Sequence, residues 1–180
     1  MQVDQLFGVL DAGDRFARAL GKPTWRGTLL ATRARLLGQL GRLSEAIGFA
    51  EEGLALVWRD RTAPGLTLGS HRYGLGDLLC EAGRFDKART LYETMLDDAE
   101  SLPNDRLGAL RGLARCALTA NEGATARGFA AEAVRVAEPM GDPMLSMALE
   151  VLTKVCLGLG DLAAARAASD ERDLAFHSSC

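Results

Sequence analysis

The sequence predicts an all-α chain, an α-solenoid in which antiparallel helical hairpins stack one after another. Three observations carry this. Leu and Ala dominate while isoleucine occurs once, at Ile47, and a shortage of β-branched residues disfavours sheets. Pro23, Pro64, Pro103 and Pro143 stand about forty residues apart, and proline suits the first turn of a helix but breaks its interior, so regular prolines mark regular helix starts. A second ruler of the same period runs through Gly41, Gly83, Asn121 and Gly160, residue types that accept the left-handed conformation closing a helix. A period of this size is the signature of a repeat architecture.

Taken in order, the first stretch, 3–20, predicts a lone helix. Shifted by one period, its Leu6, Phe7 and Leu10 fall over Ala46, Ile47 and Ala50, so it reads as the second helix of a hairpin whose first is missing. It is an end cap, or the remainder of a longer chain, or an apolar face that pairs with another molecule. Four hairpins follow: 24–40 with 43–59, 65–82 with 85–100, 105–119 with 122–138, and 143–158 with 161–176. The repeats cover 23–60, 64–101, 103–139 and 142–177 of a single domain, 1–180. Asn104 and Asp142 stand where N-caps belong. Small residues precede each turn (Ala34, Gly76, Ala114, Thr153) and follow it (Ala46, Ala88, Ala126, Ala165), as close crossing of two helices requires. Leu30, Leu37 and Leu40 form an apolar face answered by Leu110, Leu113 and Leu118, then by Leu149, Leu152 and Leu159.

On these residues the chain resembles a tetratricopeptide repeat (TPR) array. The resemblance rests on Ala34, Gly76 and Ala114 in the first helices, the turn glycines, Leu43, Phe85 and Leu162 two residues later, the alanines that follow, and Tyr92 one turn beyond. It covers 23–177. The family's usual repeat is about 34 residues; this longer one is similar to the helical arrays of large bacterial transcription-activating and signalling ATPases, as is the phrase Gly-Asp-Pro at 141–143. Arg33 and Arg72 depart from the pattern where a large apolar residue is preferred. Asn121 replaces a turn glycine, Gly123 an aromatic, and Thr153 and Arg172 stand at small-residue sites.

Several function classes are excluded by composition. A formal charge of −3 spreads over mixed positions and supports neither a nucleic-acid arm nor a polybasic membrane patch. The start lacks the basic-then-apolar order of a signal peptide and no apolar run reaches membrane-spanning length, so a cytoplasmic location is expected. Four cysteines include no C-x-x-C pair and share the chain with only His71 and His177, so no zinc site is expected; Cys116 and Cys156 read as core residues and the thiols as reduced. No motif supplies a nucleophile with its base, and Gly74-Leu75-Gly76 is not a phosphate loop. The pairs Asp97-Asp98 and Glu51-Glu52 read as solvated helix faces. A non-enzyme without cofactor or metal is expected.

The resemblance implies a protein- or peptide-binding scaffold whose first helices line a concave groove. It places Arg35, Tyr73, Asp77, Glu81, Arg111, Arg115, Glu150 and Lys154 on or near that groove. Arg35, Arg115 and Lys154 occupy equivalent positions, so stacked cations would grip an acidic partner, with Tyr73 as a flat anchor. The alternative is a solvent face in which Asp77 and Glu150 neutralise these cations. The asparagines of the family's carboxylate-clamp members are missing, so that activity is not implied. Trp25 and Trp58, beside Lys22, Arg26, Arg59 and Arg61, are expected to pack between repeats. Two further readings are a homo-oligomer through Leu6, Phe7 and Leu10, and a sensor of small anions. By resemblance the setting is a regulatory module of a larger bacterial system.

Overall fold

A computed structural model describes residues 2–60, 65–98 and 101–177; the expectations for Arg61, Pro64, Cys180 and a helix end at residue 100 lie outside them. The described residues form helices and no strands: α1 (Gln2–Ala19), α2 (Pro23–Gln39), α3 (Leu43–Arg59), α4 (Gly65–Glu81), α5 (Phe85–Asp97), α6 (Pro103–Thr119), α7 (Gly123–Ala137), a 3-10 turn (Glu138–Met140), α8 (Asp142–Gly158) and α9 (Leu162–His177). The first, or A, helices of the hairpins are α2, α4, α6 and α8; the second, or B, helices are α3, α5, α7 and α9.

Local chemistry sets the ends. Gly41, Gly83, Asn121 and Gly160 all have φ between 60° and 74°, and each is followed by an amide that bonds back into the helix: Arg42 N to Leu37 O (2.9 Å), Arg84 N to Leu79 O (2.8 Å), Glu122 N to Ala117 O (2.9 Å) and Asp161 N to Cys156 O (2.9 Å). This is the Schellman closure, which satisfies carbonyls the helix leaves orphaned. Gly21, with φ 60°, closes α1 in the same way through Lys22 N to Ala17 O (3.0 Å), so the leading helix enters α2 by the device used inside the hairpins.

The expected N-caps are corrected. Leu102 is the N-cap of α6 and Pro103 takes its first turn, which moves Asn104 into the helix. Gly141, at φ 96° and ψ 170°, caps α8, a conformation that suits glycine, and Asp142 becomes the first helical residue. A side chain does cap α9: the Asp161 Oδ1 accepts from the Ala164 amide at 3.1 Å.

The chain forms two compact units, 1–88 and 89–180. In the first, α1 packs on α2, α2 on α3 and α3 on α4, while α2 lies beside α4. In the second, α6 packs on α7, α7 on α8 and α8 on α9, while α6 lies beside α8. Each unit therefore sets its A helices side by side in one layer, with B helices behind.

Small residues let these layers close. A Cβ added at Gly27 would stand 2.8 Å from the Gly53 carbonyl oxygen, so α2 and α3 meet backbone to backbone. In the second unit Ala114 and Ala126 share a core with Ala117, Ala130 and Val155. Fully buried Tyr92 lays its ring where a Cβ on Gly112 would be. Cys80, Cys116 and Cys156 are core residues.

The departures from the repeat pattern have local reasons. Gly123 leaves room for Leu159, whose Cδ2 would lie 2.6 Å from an added Cβ. Thr153 donates its hydroxyl to the Leu149 carbonyl at 2.8 Å. Arg33 lies between the Phe7 and Phe49 rings, 5.4 and 5.1 Å from their centroids, and pairs with Asp11. Arg72 covers the Trp58 ring at 4.8 Å. A guanidinium on an aromatic face is attractive while its edge stays wet, which is how these half-buried positions accept arginine.

Candidate functional site

The A-helix layer of the first unit carries an open cleft of about 650 Å³. One wall is the stripe Thr28, Ala31, Thr32, Arg35, Gly38 and Gln39 of α2; the other is Ser70, Tyr73, Gly74, Asp77, Leu78 and Glu81 of α4. Both stripes follow the three-and-four spacing that keeps residues on one helical face. Each spans about 16 Å at 1.5 Å per residue. Small side chains make the space: the Thr28 and Thr32 hydroxyls turn back to the Thr24 and Thr28 carbonyls (3.1 and 3.0 Å), and nothing lies within 4 Å of an added Cβ at Gly74. Ala50 and buried His71 also contribute to the lining.

Of the residues predicted for a groove, the cleft brings together Arg35, Tyr73 and Asp77. Glu81, also expected on or near the groove, completes the wall, together with residues not selected from the sequence: Thr28, Thr32, Gly74 and His71. For Thr28, Thr32 and Gly74 the signal was the recurrence of small residues along one face of α2 and α4; His71 had none. Arg35 and Glu81 are both exposed, and among the described residues neither has an ion-pair or hydrogen-bond partner.

The second unit treats its predicted residues differently. Lys154 donates to Glu150 one turn earlier on α8, at 2.5 Å, and this bond holds the Glu150 carboxyl below its usual range. The pair is the self-neutralised surface of the alternative reading. Arg111 is half-buried and Arg115 exposed on α6.

Along α1 the expected contact face is corrected. Leu10 is buried, and Phe7 lies half-buried under Arg33; both face α1's own neighbours, because Leu10 and Ala17 form the seam that packs inward. Leu6 stays open, together with Val9, Phe16 and Leu20. The Trp expectation is also corrected: Trp25 and Trp58 are 54% and 59% exposed. Trp25 borders a shallow 330 Å³ hollow with Gly13, Phe16 and Leu29, and Trp58 lies under Arg72.

No family model matches the chain, and no curated protein matches it. Solved structures do. BtubC (BKLC) from P. vanneervenii superimposes with a TM-score of 0.64 at 17% identity, over 99% of this chain and 92% of that one. Two structures of a Podosopora anserina putative kinesin light chain with nearly identical TPR-like repeats, one of them a point variant, give TM-scores of 0.68 and 0.65 at 16% identity, over 99% of this chain and 90% of each of those. The fold is TPR-like. Among the described residues, four hairpins and a leading helix make up this TPR-like fold, and the cleft lies on the A-helix layer of the first unit. At such identities the likeness extends to fold and no further. Among the described residues, no helix is long and apolar enough to cross a membrane, and no group of three His, Cys, Asp or Glu is placed to hold a metal ion.

Proposed function

We propose that the protein is a non-catalytic scaffold whose cleft between α2 and α4 holds a segment of a protein partner. The cleft itself carries this reading: it is concave, three helical turns long, walled by both apolar and polar side chains, and offers Tyr73 beside the charges of Arg35, Asp77 and Glu81. Concave sites with a few placed polar groups are the usual form of a recognition site. A regulatory role within a larger system and a place inside the cell are part of the same proposal.

Selection of random peptides displayed on phage tests it, run against the wild type and against Gly74→Trp. Nothing lies within 4 Å of an added Cβ at Gly74, so the indole projects into the cleft, and replacing a helical glycine by Trp adds roughly 0.5 kcal/mol of helix propensity. Enrichment on the wild type that Gly74→Trp abolishes supports the scaffold. Peptides that bind both proteins equally contradict it.

Self-association through α1 is the second reading. Leu6, Val9, Phe16 and Leu20, with Gly13 between them, follow an alternating three-and-four spacing and are exposed, the pattern of a helix-pairing seam. Sedimentation at low and high concentration should show a dimer that Phe16→Asp dissociates. A wild-type monomer at both concentrations rejects it.

A further inference from the structure

The charges at the C-terminal end of the cleft name the class of partner, an inference that rests on the cleft being a peptide site. The last turns of α2 and α4 lie together, with Leu78 Cδ2 and Glu81 Oε2 standing 2.7 and 3.8 Å from the Cβ position of Gly38, so their negative dipole ends fall at the same end of the cleft. A basic residue in the last turn is the stabilising choice there, yet neither helix has one. α4 instead ends on Glu81, an acid set against its own helix dipole. The Glu81 carboxylate lies over α2, with Oε2 3.8 Å from the Cβ position of Gly38, and no described cation pairs with it. One turn earlier on α2 stands Arg35, likewise without a partner among the described residues. Among the described residues, the cleft thus presents a carboxylate and a guanidinium without partners, carried by side chains rooted about one helical turn apart along its axis.

We propose that this end of the cleft is a subsite for a lysine or arginine side chain of the partner peptide. The aliphatic stem lies along Leu78 and Gly38 while the charged head meets Glu81, as long basic side chains do when they cover apolar surface and keep the charge in contact with water and a counter-ion. Arg35 takes a carboxylate of the same peptide, four residues away if the segment is helical or two if it is extended. The partner recognised is therefore a segment of mixed charge, where the residues of α2, α6 and α8 read alone had suggested an acidic one.

The peptide selection described above, extended to Glu81→Lys, tests this. Peptides recovered on the wild type should share a basic residue at one aligned position. Synthesised with a fluorophore, such a peptide should bind Glu81→Lys about tenfold more weakly, the scale of one charge-assisted contact. A Lys→Glu version of the peptide should recover that loss on Glu81→Lys and show the converse loss on the wild type. Because Glu81→Lys relieves the unfavourable dipole, its melting temperature should not fall, which separates lost recognition from lost folding. Equal affinity for wild type and Glu81→Lys overturns the subsite while leaving the cleft reading intact. Undiminished binding to Gly74→Trp, or no enrichment on the wild type at all, overturns both.

Discussion

Gly112 and Gly48 are both helical glycines, and opposite outcomes are expected when each becomes alanine. At Gly112 the new methyl runs into the Tyr92 ring, well inside van der Waals contact, and that ring is already fully buried, so Gly112→Ala should destabilise by about 1 to 3 kcal/mol through overpacking. At Gly48, on the exposed face of α3, it meets nothing within 4 Å, and Gly48→Ala should stabilise by about 1 kcal/mol through helix propensity. Urea unfolding of the two variants checks both signs. Nothing in the sequence separates these glycines, since what differs is a neighbour from another helix. The left-handed turn residues of the hairpins were legible because they act within their own few residues; Gly21, standing half a period off the ruler, and Gly141 were not. The exposed tryptophans were not: a tryptophan at a helix end looks alike whether a neighbour covers it or leaves it open.

Helices are held to one another by two sets of charged contacts. α1 is fastened to α2 and α3 by Arg26, which donates to Asp14 at 2.8 Å and also to Glu52, and by Arg33 between its two rings. Burial alone would push the Asp14 carboxyl up, but hydrogen bonds from Arg18 and Arg26 carry it below its usual range. Arg33→Ala should therefore raise hydrogen exchange through 2–19 well before the remaining helices respond; unchanged protection there would show that Leu10 and Ala17 suffice. In the second unit Arg89 of α5 grips Glu122 at the start of α7, and Arg127 of α7 donates to Asp161 at the start of α9 at 2.8 Å. Both arginines stand six residues after a hairpin turn and both acids one residue after the next, a spacing readable in retrospect. The arginine hydrogen bonds hold both carboxyls below their usual range. A carboxyl with a depressed folded pKa contributes its stability above the unfolded value, and loses it as pH falls through the folded one. The bridges are thus intact at neutral pH and are lost in acid, as pH falls below the ordinary carboxylate range. Glu122→Gln should lower the urea midpoint at neutral pH, and this deficit should shrink as pH falls below about 4; an equal deficit throughout would contradict the bridge. Helix bounds were legible to within a few residues, whereas the caps of α6 and α8 were not, because Pro103 and Gly141 each claim the position their polar neighbour was expected to hold.

The two compact units share one plan, A helices side by side and B helices behind, and the TPR-like fold was legible because its rulers repeat. The candidate site was legible in part. Equivalent positions in a repeat share a face, which is why Arg35, Tyr73 and Asp77 were found together; they need not share a neighbourhood, and Lys154 binds Glu150 while Arg35 stands alone among the described residues. Where a helical face opens into a cleft depends on the small residues opposite, such as Thr32 and Gly74. Whether that cleft is where a partner lies is settled most directly by amide chemical shifts of the full chain titrated with a selected peptide. Shifts should concentrate on the inner stripes 28–39 and 70–81, with Arg35, Gly74 and Glu81 among the largest. Shifts centred on α1 or on α8, with those stripes unmoved, would contradict it.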